Sequence, residues 1–354
     1  MWYCRHNSRL SRSIRLPLCA LSAAALLLVN ACQDSPVEPE RLEQPELAAP
    51  LNAVASNSWL TRANMPNDAR RNIVAAAVTN AEKQTVLYVF GGRRERSDGS
   101  LGVQLRTVQA YNAATNSWSD KNPSPLPLEQ THGAHAIGGK IYIAGGKNGF
   151  NEILPYLWQY DPANDTWIRK RDLPVEGYGG VSGVIGGKLY VLVSSIFFGA
   201  YEPATDQWTP LPLPPGGRNH DHQFGAAGVI GGKLYVAGGR TSNALDIYDP
   251  VTNQWTSGAS MGSIRGHTAS ATVAGKLYVI AGARFVYNPD GTIASIESVA
   301  TTSRYDPGTN TWKNFARSPR GGTGLAADRV VVSGQPRVDL VGGARPGNNL
   351  QYVP

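Results

Sequence analysis

Beyond Cys32 the sequence contains no cysteine: Cys4, Cys19 and Cys32 are the only three in the chain. A disulfide framework, a thiolate zinc site and a cysteine nucleophile are therefore excluded for everything downstream. Charge is also sparse. Asp, Glu, Lys and Arg make up 17% of the residues, below the average of soluble proteins. Outside the N-terminal segment no basic run exceeds Arg93-Arg94-Glu95-Arg96, so no nucleic-acid partner is expected. The apolar stretch 18–29 is shorter than the ~20 residues a membrane-crossing helix needs. His220-x-His222, with His132 and His135, offers imidazoles but no carboxylate or thiolate beyond Asp221, so no metal and no cofactor is expected.

The N-terminus reads as processing chemistry. Arg5, Arg9, Arg12 and Arg15 precede the apolar stretch, which ends in Val29-Asn30-Ala31-Cys32. Those four residues resemble the lipobox of bacterial lipoproteins, which implies a signal peptide over 1–31 and a lipid on the Cys32 thiol. A plain secretory signal ending near a cysteine is the alternative. Residues 32–55 hold five acids, many prolines and no aromatic residue, the composition of a disordered tether. The implied location is the bacterial cell envelope, with the membrane touched through the lipid anchor only. Gln33, in place of Asp, favours the outer membrane. With the signal's arginines and the tether's acids set aside, the rest carries a surplus of about +7, which suits anionic partners.

Residues 56–354 are organised by one phrase: YNAATNSW from Tyr111, YDPANDTW from Tyr160, YEPATDQW from Tyr201, YDPVTNQW from Tyr248 and YDPGTNTW from Tyr305. Pro fixes one φ, Asp and Asn bond back to their own backbone, and Tyr and Trp mark two flanking strands. A sixth copy is split between Tyr352-Val353-Pro354 and Ala55-Ser56-Asn57-Ser58-Trp59. Upstream of each phrase lies another, such as GGKIYIAGG (138–146) or GGKLYVAGG (231–239). Together they predict a four-stranded antiparallel meander, strands a to d, with Trp recurring every 41 to 59 residues.

The Gly-Gly doublet after strand b, the Tyr and the Trp resemble the Kelch repeat. The resemblance implies an all-β, six-bladed Kelch-type β-propeller whose last blade is closed by the N-terminal strand; a monomer is expected. The repeated Gly, Tyr and Trp read as packing residues. Function is expected on the face of the b–c loops and d–a links, where two insertions fall, Arg93–Leu105 and Arg284–Ser298, the second with a turn at NPDG (288–291). Candidate ligand-binding residues before strand a are Arg70, Arg71, His132, His135, Glu176, Tyr178, His220, His222, Arg265, His267 and Arg320. The b–c loops add Arg93, Arg240, Arg284 and Arg345. A basic mouth of this kind suits a protein or peptide segment or a glycan, anionic in either case. No catalytic residue is assigned. The fold is similar to that of galactose oxidase, but copper chemistry of that type needs a cysteine that this domain lacks. Mutarotation of a carboxylated sugar, known for some bacterial Kelch propellers, is the enzymatic alternative by resemblance of fold alone.

Overall fold

Each Tyr-to-Trp phrase folds as the hairpin its turn residues dictate, and the hairpins build six four-stranded antiparallel sheets. The structure, a computed structural model, describes residues 55–66, 70–95, 101–343 and 348–354. Cys32, Arg345, the 1–31 segment and all of the proposed tether but Ala55 lie outside these residues. Sheet 1 comprises Val74–Thr79, Thr85–Phe90, Val108–Asn112 and Ser117–Lys121. Sheet 2 comprises Ala134–Ile137, Lys140–Ala144, Leu157–Asp161 and Thr166–Lys170. Sheet 3 follows with Val181–Ile185, Lys188–Val193, Phe197–Glu202 and Gln207–Pro210. Sheet 4 is Ala226–Ile230, Lys233–Ala237, Leu245–Asp249 and Gln254–Gly258. Sheet 5 is Ala269–Val273, Lys276–Ile280, Thr302–Asp306 and Thr311–Phe315. Sheet 6 has Leu325–Val332, Gln335–Gly342 and Asn348–Val353, and its outer strand is Ser58–Asn64 from the other end of the chain. There Trp59 pairs with Tyr352. Strand a of each sheet packs beside strand a of the next, and sheet 6 returns to sheet 1, so the inner strands close a cycle.

The phrase works as a clasp between sheets. Its Asn or Asp, five residues after the Tyr, takes a left-handed φ in every copy: Asn57, Asn116, Asp165, Asp206, Asn253 and Asn310. These residue types tolerate that conformation because a short polar side chain bonds locally. In each copy the Tyr hydroxyl donates to this side chain at 2.6–3.0 Å. Five of the six also accept a backbone N–H from the preceding sheet, Ala63, Asn122, Arg171, Ala259 and Ala316. Pro212 occupies the sixth position and has no N–H to give. The indole N–H of each of the six repeat Trp residues donates to the carbonyl of that same residue, Pro212 included. The split copy makes the full set through Tyr352, Asn57, Trp59 and Ala316. Tyr is buried and Trp half-buried throughout.

The doublet after strand b has its own reason. Its first residue is left-handed in every sheet, as Gly91, Gly145, Ser194, Gly238, Ala281 or Gly342. Ser194 and Ala281 carry the strain of that conformation where space permits. At Gly91 a Cβ would stand 2.1 Å from the Leu128 carbonyl oxygen, and at Gly145 2.2 Å from Nε2 of His132, so only glycine fits there.

The insertions are not loose loops. Arg93–Glu95 pairs with Leu101–Gln104 and with Arg70–Arg71 in a small three-stranded sheet. Ala283–Tyr287 and Ile293–Ser298 form a separate hairpin turning at Asn288–Thr292.

Candidate functional site

A left-handed residue lies just before strand a in all six sheets: Asn72 (59°), Gln130 (51°), Gly179 (64°), Phe224 (61°), His267 (52°) and Gly324 (77°). All six line a cavity of about 490 Å³ that follows the inner strands. Their backbones are linked in a belt. Asn72 N–H donates to Gly324 O (3.0 Å), Gln130 to Asn72 (3.3 Å), Gly179 to Gln130 (2.7 Å) and Phe224 to Gly179 (2.5 Å). Thr268 continues the belt to Phe224 O (3.4 Å). The belt fixes the rim of the cavity, and the side chains on it differ at almost every position.

Over sheets 2 to 5 these side chains make a continuous arc. His267 stacks on Phe224 with ring centroids 3.7 Å apart. Phe224 meets the ring of Tyr178 edge-on at 5.9 Å, and the Lys147 ammonium stands 3.9 Å over Tyr178. On its other side His267 contacts Phe285 at 5.5 Å, and the Arg240 guanidinium lies 5.1 Å over Phe285. Burial first, then the Arg240 and Arg71 charges, push the His267 imidazole down to about 3, so it is neutral at physiological pH. Lys147, Arg71 and Arg240 make no ion pair among the described residues. Two of these cations stand over aromatic rings and the third, Arg71, bears on His267, and together they form a surface that attracts carboxylates and flat or apolar groups.

Several residues expected at the mouth serve the walls instead. Arg70, His222, Arg265 and Arg320 each donate to the carbonyl of the first doublet residue of their own blade, namely Gly91 (3.0 Å), Gly238 (2.7 Å), Ala281 (3.4 Å) and Gly342 (3.2 Å). Arg70, His222 and Arg265 are buried, and the expectation that they face a ligand is corrected: they staple strand a to the ends of strands b and c. Arg265 also reaches Thr301 O and Val279 O, and burial pushes its guanidinium down to about 10. His132 is likewise buried. Its Nδ1 accepts the Gly180 N–H at 2.9 Å, and burial pushes it down to about 3. His135 lies on the cavity wall, bonded to Ser182 Oγ at 2.8 Å. Burial pushes it down to about 4 against the opposing effect of the Ser182 backbone.

Arg93 is held by buried Glu129 at 2.8 Å, which also accepts from Asn72. Arg284 pairs with Glu297 at 2.8 Å on the exposed hairpin. Glu176 is exposed. His220 and His222 do not line the cavity. Both bond to Oδ2 of buried Asp246, at 2.8 and 2.9 Å, and Ser257 supports its other oxygen. Burial would raise the Asp246 carboxyl, but the hydrogen bonds from His222, His220 and Ser257 outweigh it and hold the carboxyl below the ordinary range. Among the described residues no group of three His, Cys, Asp or Glu is disposed to hold a metal ion.

Of the expected residues, then, the structure brings Arg71, Tyr178, Arg240 and His267 together. Sequence reasoning missed Phe224 and Phe285. Phe224 stands two residues before strand a, as His267 does, so reading the repeats in register would have exposed it.

Comparison with known proteins agrees with this architecture. The Kelch motif model matches residues 131–174 and 224–262. Kelch-like protein terF of Aspergillus terreus is 28% identical over 291 residues, covering 74% of this chain and 59% of that protein. Kelch-like protein 38 of Rattus norvegicus is 26% identical over 276 residues, covering 76% of this chain and 44% of that protein. The chain thus spans about half the length of these curated relatives. A solved structure titled "Structure of YjhT" superposes with a TM-score of 0.63 at 15% identity, over 82% of this chain and 94% of that one, and shows the shared fold. The chain thus carries Kelch motifs and is similar to Kelch-like proteins over about three quarters of its length.

Proposed function

We propose that this propeller is a binding module of the bacterial cell envelope that captures an anionic partner at the mouth of its loop face. The observation that carries the reading is the arc from Lys147 to Arg240, where cations without acidic partners stand over aromatic rings. Binding is favoured over sugar mutarotation because His132 and His135 are built into walls, His267 is packed between two aromatic rings, and burial holds all three neutral, while Glu176 is exposed. The test uses two labelled probes, an acidic peptide of alternating Glu and Ser and an oligogalacturonate. At least one should bind, weaken with added salt, and lose about tenfold or more in affinity when Arg71 and Arg240 are both changed to Ala. If neither probe binds, or if the double variant binds as well as the parent, the mouth is not an anion site.

The proposal includes a lipid on Cys32 and residence in the outer membrane, resting on Val29-Asn30-Ala31-Cys32 and on Gln33. Cys32→Ser should move the protein from the membrane to the soluble fraction. Retention in the membrane would refute the anchor.

A further inference from the structure

The arc ends on Phe285, and a second cavity of about 390 Å³ opens on that ring's hairpin, outside the central one. It is lined by Arg240, Thr241, Ile264, Arg284, Phe285, Val286 and Tyr287. Its walls are mostly apolar, and apart from Thr241 and the Tyr287 hydroxyl its polar side chains are two arginines. Arg284 is occupied by Glu297; Arg240 has no acidic partner among the described residues and lies on Phe285. Ile264, at 39% exposure, and the hairpin's Ile293 and Ile296, at 43% and 55%, carry apolar surface outward from this cavity. A monomer gains nothing by exposing such a cluster beside an uncompensated cation.

We propose that the anionic partner is a peptide that sets a carboxylate on Arg240 and the adjoining apolar side chain, of leucine or phenylalanine size, in this side pocket. The inference rests on the anion-binding reading of the mouth and narrows it. A glycan presents hydroxyl groups, and each one buried in the side pocket would need a partner that these walls scarcely offer. An apolar side chain loses water there at no such cost. Charge and apolar surface adjoin on Arg240 and Phe285, so the two features of the peptide must be neighbours in its sequence.

The experiment compares the Glu and Ser peptide with the same peptide carrying one Ser→Leu change next to a Glu, by fluorescence anisotropy on the intact protein. Burying one leucine side chain should tighten binding about tenfold to a hundredfold. Ile264→Ser, a change at an exposed position, should remove most of that gain and leave the affinity of the leucine-free peptide unchanged. Equal affinity for the two peptides, or tighter binding of oligogalacturonate than of either, overturns the peptide assignment while the mouth reading stands. Failure of every acidic probe to bind overturns both.

Discussion

On the turn face four blades repeat one arrangement: the Lys after the a–b glycines bonds the acid after the repeat Tyr, as Lys140–Asp161, Lys188–Glu202, Lys233–Asp249 and Lys276–Asp306. Sheet 1 keeps a neutral version, with Asn112 donating to Gln84. On the loop face six left-handed residues occupy the same backbone belt, yet carry Asn, Gln, Gly, Phe, His and Gly. The backbone is as regular at one end of the ring as at the other. Side chains that recur blade after blade satisfy a packing need that recurs with them, whereas a position that keeps its dihedral and changes its chemistry answers to something outside the repeat.

The sharpest test of the repeated side is its clasp. Trp59→Ala removes the indole donor to Ala316 and its packing on Tyr352, and should cost about 3–5 kcal/mol in denaturant unfolding. Arg265→Ala leaves the carbonyls of Val279, Ala281 and Thr301 without this donor and should cost about 2–4 kcal/mol. A loss below 1 kcal/mol would mean that the staple reading is wrong.

The pH dependence follows from buried groups on the closing sheet. Burial pushes Asp328 up to about 6 and Asp339 up to about 7. Each keeps its proton to a higher pH than in the unfolded chain, so its contribution is complete in acid and is lost as pH rises through those values. His132, His135 and His267 act oppositely. Neutral in the fold down to about 3–4, they withdraw stability as pH falls below ~6.5, where the unfolded imidazoles take protons. Stability should therefore be greatest near pH 6–7, since three imidazoles outweigh two carboxyls below that range. Asp339→Asn should raise the melting temperature at pH 8 and leave it nearly unchanged at pH 4; an equal shift at both would sink the assignment.

Smaller effects compare clasps with one another. Asn310→Ala breaks bonds to Tyr305 and to the Ala259 amide, Asn253→Ala only the bond to Tyr248. The first should cost about 1 kcal/mol more, the worth of one hydrogen bond. Lys233→Ala, at an exposed pair on the turn face, should not move the unfolding midpoint measurably in 0.15 M salt.

The fold was legible because the Tyr-to-Trp phrase writes the clasp into adjacent positions, including the left-handed Asn that joins the two chain ends. The mouth was only partly legible. A cation before strand a looks the same in sequence whether it faces ligand or wall, yet successive residues of a strand point to opposite sides. Arg70 is therefore buried in the wall while Arg71 is only half-buried. Arg265 and His267 differ because the left-handed turn at His267 redirects its side chain. Phe224 has no charge or hydrogen-bonding group to mark it in the sequence, although its contacts hold the arc together.

Tyr352 and Asn57 stand 295 residues apart in the chain and touch in the fold. Among the described strands Ser58–Asn64 is made first, and it has no partner until Asn348–Val353 is complete. During synthesis it is an open edge, able to pair with another chain, and all six inner-strand junctions can form before it is covered. The inner cycle needs only Leu325–Val332 and not the last strand, so a chain stalled short of Tyr352 can hold its ring together and still expose the edge of Ser58–Asn64 to other chains.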